Sequence, residues 1–210
     1  MDVLFNTEYY SVFSVIGLFW SLLTYWLMFS KRGQGLLSNP WAIVIAACAM
    51  IPSIWYVTEQ VGMLTKLSGG IPPLDVQFGY GKSEISTFAD ALGAEGRMTY
   101  AVFQLGADAL APPAFVCFLM SVFRSTVKRQ IPLRICAILA FIYFTSVLLA
   151  NTLMPVIIMH YPADSGALLS ALYSSVPVMD WLKYSTHALA WIVIFLTWIV
   201  QGAGWLKSRA

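Results

Sequence analysis

Charge is what this 210-residue chain has least of. Asp, Glu, Lys and Arg make up 10% of it, against 59% hydrophobic residues and a mean hydropathy of +0.74. A soluble domain carries about a quarter charged residues, so a soluble fold is excluded. The apolar residues fall in long runs, which marks a polytopic membrane protein rather than one large core. A net charge of +2 without a long basic run excludes a nucleic-acid partner. Cysteine is scarce: Cys48, Cys117 and Cys136 all sit inside apolar runs, which fits buried thiols and not a disulfide framework or a metal site. A basic n-region, a small-residue cleavage signal and lipidation motifs are all missing, so the N-terminus is expected to be retained and unlipidated.

What is present reads as one all-α membrane domain over residues 1–210 with five transmembrane helices. The spans are expected at residues 10–30, 41–64, 98–123, 135–159 and 178–206. In the first, Ser14, Gly17, Ser21 and Thr24 share a face that lets another helix approach closely. In the second, Pro52 should kink the helix or end a regular stretch. Basic residues follow the first, third and fifth spans (Lys31 and Arg32; Arg124, Lys128, Arg129 and Arg134; Lys207 and Arg209), whereas Asp2 and Glu8 precede the first. The positive-inside rule then places the N-terminus outside and the C-terminus in the cytoplasm of a bacterial-type plasma membrane.

That topology puts residues 65–97 on the outer side as the largest extramembrane segment. Its Gly- and Pro-rich first part cannot be a regular helix. From Ser83 onward, Ile85, Phe88, Ala89 and Leu92 recur at helical spacing, which predicts a short amphipathic helix on the bilayer surface, stopped by Gly93. Gly81-Lys82-Ser83 only looks like the end of a P-loop, since Val76 stands where the first Gly belongs. Phe78-Gly79-Tyr80-Gly81 lacks the pore helix of a potassium filter.

Asp108 is the sharpest candidate for chemistry. It lies about 16 Å along a helix from Arg97 and about 24 Å from Arg124, inside the outer half of the hydrocarbon. A carboxylate there costs several kcal/mol unless paired or protonated, so it faces the bundle interior. In one continuous helix Arg97, Gln104 and Asp108 form a stripe entering from outside, and Pro112 and Pro113 free the carbonyls of Asp108 and Ala109 for a polar pocket or a packed kink. Asn151 lies at matching depth and is expected to hydrogen-bond Asp108. His187 follows Asp180 and Tyr184 on a stripe of the fifth span, with Lys183 beside it, and could relay a proton. Glu59 is placed at the outer interface. Each of these also has a plainer reading, as a structural hydrogen bond or an interfacial anchor.

No metal or cofactor is expected. His160 and Asp164 are separated by Pro162, and a third ligand would have to come from His187, Asp180 or Glu59. No hydrolase, zincin or dinucleotide motif appears, and no internal repeat favours a transporter. The expected function is therefore an outward-facing polar pocket around Asp108. It is lined by spans two to five and roofed by residues 65–97, and binds a small amphipathic molecule, a lipid or a partner membrane protein. The alternative is a membrane enzyme on a lipid-soluble substrate with Asp108 as acid or base. A proton-coupled carrier, which would need homo-oligomerisation at this size, is third.

Overall fold

In a medium without water each backbone N–H and C=O needs an internal partner, and a helix supplies one from within the segment. The computed structural model describes residues 7–106, 108–162 and 167–207, with side chains for 15–106, 108–162 and 167–204. Of the residues invoked above, Asp2, Asp164 and Arg209 and the side chains of Glu8, Ser14 and Lys207 lie outside that set. The described chain is all helix: α1 (Thr7–Phe29), α2 (Lys31–Leu37), α3 (Pro40–Leu67), α4 (Lys82–Leu105), α5 (Ala111–Thr126), α6 (Gln130–His160) and α7 (Ala167–Lys207), with a 3-10 turn at Leu74–Val76.

Three helices are long and apolar enough to cross a membrane: α3, α6 and the Ala167–Gly204 part of α7. Their surfaces suit lipid. Along α3 only Ala46, Gln60 and Leu64 are buried, while Val44, Ile45, Ile51 and Trp55 face outward. Pro52 lies inside α3 without ending it, and Pro177 lies inside α7, which already begins at Ala167, ahead of the expected span 178–206. The Gly-rich link after α1 is itself a helical turn, α2, started by Ser30, whose hydroxyl accepts from Gly33 N–H at 2.9 Å.

The central helix is α6, which packs along α7 on one side and along both α4 and α5 on another. Its buried positions Cys136, Ala140, Phe144, Val147, Asn151, Met154 and Ile158 step by three and four, a single helical face. Two buried clusters form along it. One gathers Met28, Leu37, Phe123, Phe144 and Ile194 near the basic connections. The other gathers Leu64, Leu74, Phe88, Tyr100, Ile157 and Val176 at the opposite end.

The expected surface helix is present and starts at Lys82. Ile85, Phe88, Ala89 and Leu92 are buried as its stripe requires, and Glu84 accepts from Gly81 N–H at 2.8 Å at its start. It breaks at Gly93, whose φ of 64° and ψ of −178° belong to a region open to glycine alone. The chain then turns into residues 94–105.

The expected third span differs more. It is not one helix: α4 ends at Leu105, residues 106 and 108–110 are not regular helix, and α5 restarts at Ala111. Gly106 adopts φ −108° and ψ −88°, and Pro112 and Pro113 fall in the first turn of the new helix, where a missing N–H costs nothing. The prolines begin a helix here instead of bending one. Glycine at position 17 of α1 seats against this break, since a Cβ there would lie 2.8 Å from the Ala109 Cβ.

Candidate functional site

The break aims Asp108 away from the helical stripe on which sequence spacing placed it. The Asp108 N–H bonds the Phe103 carbonyl at 3.0 Å, and its carboxylate accepts from Asn151 Nδ2 at 2.7 Å. The Asn–Asp pair thus exists, but between a helix break and α6 rather than between two regular helices. Asp108 lines a cavity of about 310 Å³ walled by Ile54 of α3, Ala111, Pro112 and Phe115 of α5, Tyr143 and Val147 of α6, and Lys183, Tyr184 and His187 of α7.

Sequence reasoning named residues 65–97 as the roof but did not single out Asp75 within it. Leu74, fully buried, anchors the 3-10 turn and carries Asp75 and Val76 to the cavity. The Asp75 carbonyl accepts from Lys183 Nζ at 3.2 Å and from the Tyr184 hydroxyl, while Tyr100 donates to Asp75 Oδ1 at 3.4 Å. Burial pushes the Asp75 carboxyl above the ordinary carboxylate range. Lys183 pulls it down and Asp180 adds to the upward push. Lys183 is paired with Asp180, Nζ to Oδ1 at 2.8 Å, and the Tyr80 hydroxyl donates to the other oxygen of Asp180. Burial, reinforced by the negative charge of Asp180, raises the Tyr80 phenol and keeps it a donor. Two roof residues, Asp75 and Tyr80, are therefore tied to one turn of α7.

His187 reaches the cavity, but its bonding is structural. Its ring stacks on Phe115 with centroids 4.7 Å apart and meets Tyr143 edge-on at 5.7 Å, and its Nε2 accepts from Trp191 Nε1 at 3.1 Å.

The remaining candidates lie elsewhere. Arg97 donates to the Ala89 carbonyl at 3.2 Å and sits 5.8 Å over the Tyr161 ring, clamping the surface helix to the bundle instead of guarding a mouth. Gln104 is buried and donates through Nε2 to the Tyr100 hydroxyl at 2.9 Å, outside this cavity. Glu59 is exposed on α3 and does not line it. Among the described residues no group of three or more His, Cys, Asp or Glu is placed to hold a metal.

Two signals could have found more. Asp180 and Lys183 stand at i,i+3 and Tyr100 and Gln104 at i,i+4, spacings that put each pair side by side on a helix. Asp75 had none, because it lies in an aperiodic stretch. No known protein family, curated protein or solved structure matches the chain.

Proposed function

We propose that this chain crosses a plasma membrane five times, N-terminus out and C-terminus in, and that its roofed cavity binds the headgroup of a small cationic amphiphile. The two crossings beyond α3, α6 and α7 are α1 and the broken pair α4–α5. Residues 94–105 and α5 run end to end along α6, together about 42 Å at 1.5 Å per residue. A broken helix at membrane depth is tolerated where the freed backbone borders a cavity, as it does at Asp108. The basic residues beside α2 and between α5 and α6 gather at the end away from the roof, which supports an outward-facing cavity.

One observation carries the binding reading. Asp75 and Asp108 both line the cavity, and the cation beside them, Lys183, is already paired with Asp180. The cavity is left with more carboxyl groups than free cations beside the aromatic side chains of Phe115 and Tyr143, a setting that recognises an ammonium group. Catalysis would ask for a second reactive group bonded to Asp108. Its side-chain partner is the amide of Asn151, and no hydrogen bond among the described residues joins it to Asp75, Lys183 or His187.

The test uses the full chain in nanodiscs with dodecyltrimethylammonium as probe and dodecyl phosphate as control. The cation is expected to bind, the anion not, and Asp108→Asn to weaken the cation about tenfold, the loss of one charge contact of about 1.4 kcal/mol. Equal binding of the two probes, or no binding of either, would end this reading.

A further inference from the structure

On the other side of the Asp108–Asn151 hydrogen bond lies a second cavity, of about 250 Å³, between α1, α4 and α6. Asp108 lines the first cavity and Asn151 the second, so their pair is the partition between them. We propose that this second cavity is a separate binding site, for the hydroxyl group of an uncharged, long-chain molecule entering from the bilayer.

The polarity of the cavity is dictated from outside it. Asn151 is 4% exposed, lines the cavity and commits one Nδ2 hydrogen to Asp108. Gln104 is 1% exposed and commits Nε2 to the Tyr100 hydroxyl, whose own proton is directed to Asp75. Its Oε1 is buried in the cavity wall with no hydrogen-bond partner in the protein. Turning Asn151 round would set its oxygen against the Asp108 carboxylate, and turning Gln104 round would draw the Tyr100 proton away from Asp75. The acids of the first cavity therefore hold the amide nitrogens in the wall of the second, and the Gln104 oxygen is left there without a partner.

The hydroxyls in the wall add no free donor. Ser21 donates to the Gly17 carbonyl at 2.8 Å and Thr152 to the Leu148 carbonyl at 2.7 Å, each on its own helix. The polar atom of the wall left without a partner is thus an acceptor, the Gln104 Oε1. A buried oxygen without a partner costs the desolvation of that group, and a ligand that donates one hydrogen bond removes the cost. No charged side chain lines the cavity, so nothing in it compensates an ammonium, and a phosphate or carbonyl headgroup would face that oxygen. At its rim Leu18 and Leu105 are exposed on the apolar outer surface of the bundle, where a lipid tail would lie.

The experiment labels the full chain in nanodiscs with dodecanol carrying an alkyl diazirine, and with its methyl ether, which has the same chain and no donor. Sites are read by peptide mass spectrometry. The alcohol is expected to label residues of α1 and α4 around this cavity about fivefold more than the ether does, the equivalent of one net hydrogen bond. Gln104→Leu should lower the alcohol to the level of the ether. Thr152→Phe blocks the exposed rim without touching either amide, and should lower labelling while leaving dodecyltrimethylammonium binding at the first cavity unchanged. Equal labelling by alcohol and ether would overturn the proposal and leave a merely apolar groove. Absence of alcohol labelling would overturn it too, assigning the Gln104 oxygen to water. Because the alcohol–ether comparison uses the unmodified protein, it stands even if Gln104→Leu fails to fold.

Discussion

The two ends of this bundle bury polar groups in opposite ways. Near the basic connections the buried polar side chains are hydroxyls that bond their own helix: Thr24 to Trp20, Ser121 to Cys117 and Thr197 to Val193. Near the roof the bonds run between elements: Tyr80 to Asp180, Tyr100 to Asp75, Asn151 to Asp108. A hydroxyl closed on its own backbone holds no neighbour in register. Between elements this end has the Thr24–Cys117 contact at 3.6 Å and the Tyr25–Thr145 bond at 3.0 Å, so apolar packing sets most of the arrangement. A bond between elements can be made in one docking geometry only, and it fixes which turn of α7 the roof meets. The comparison teaches that the packed end can be built from periodicity, whereas the site end needs partners far apart in the chain.

The strongest way to break that comparison is at Lys183. Lys183→Met leaves Asp180 buried beside Tyr80 without its cation, and is expected to cost about 3–5 kcal/mol. Combined with Asp180→Leu it should cost less than alone, since no unpaired charge remains, as read from detergent melting curves of the single and double variants. A double variant no better than the single would show that this end, too, rests on packing.

A middle-sized effect is expected at Gly93. Its Cβ would meet nothing within 4 Å, so Gly93→Ala tests the backbone alone and should cost about 1–3 kcal/mol for the unfavourable conformation. Hydrogen exchange should then rise across residues 82–92, the part of the roof that the turn positions. Unchanged protection there would mean that Arg97 and the buried stripe hold the surface helix without the turn.

At the opposite end, Thr197→Val removes a hydroxyl that touches only the Val193 carbonyl, and melting should stay within about 0.5 kcal/mol of the parent. A larger loss would show that the packed end also depends on polar register.

The smallest effect concerns Glu84, whose carboxyl is held below its ordinary value of 4.5 by its own backbone N–H and that of Gly81. A depressed acid contributes stability that is present above the ordinary value and lost as pH falls through the lowered one. Protection of residues 82–92, corrected for intrinsic exchange, should therefore decline at acid pH. Glu84→Gln should flatten the decline, and an identical decline in that variant would assign it to another group.

Much of the packed architecture was legible beforehand because it is local. Apolar runs gave the three long helices, the 3,4 spacing of Ile85, Phe88, Ala89 and Leu92 gave the surface helix and its buried face, and the small-residue face of α1 is where Gly17 meets Ala109. Each of these needs only the order of residues within one element.

The site was legible only in part. Asp108 and Asn151 were visible as polar residues at equal depth in apolar helices, and their bond follows from the need of each for a partner. Whether Gly106, Pro112 and Pro113 kink one helix or separate two was not decidable from order alone, since either outcome satisfies the local backbone. Close approach of α1 to Ala109 accompanies the break, and the break decides which way Asp108 points. Asp75 was invisible for a different reason. It meets Tyr100, Lys183 and Tyr184 across 25 to 109 residues of sequence, and no periodicity spans that distance. The sequence by itself determined an apolar, helical chain and the apolar runs that its long helices follow, because helix formation is a property of neighbours. The tertiary structure alone decided that two acids share one cavity and that the amides tied to them, Asn151 directly and Gln104 through Tyr100, line another, because the direction of a hydrogen bond depends on what the fold sets opposite it.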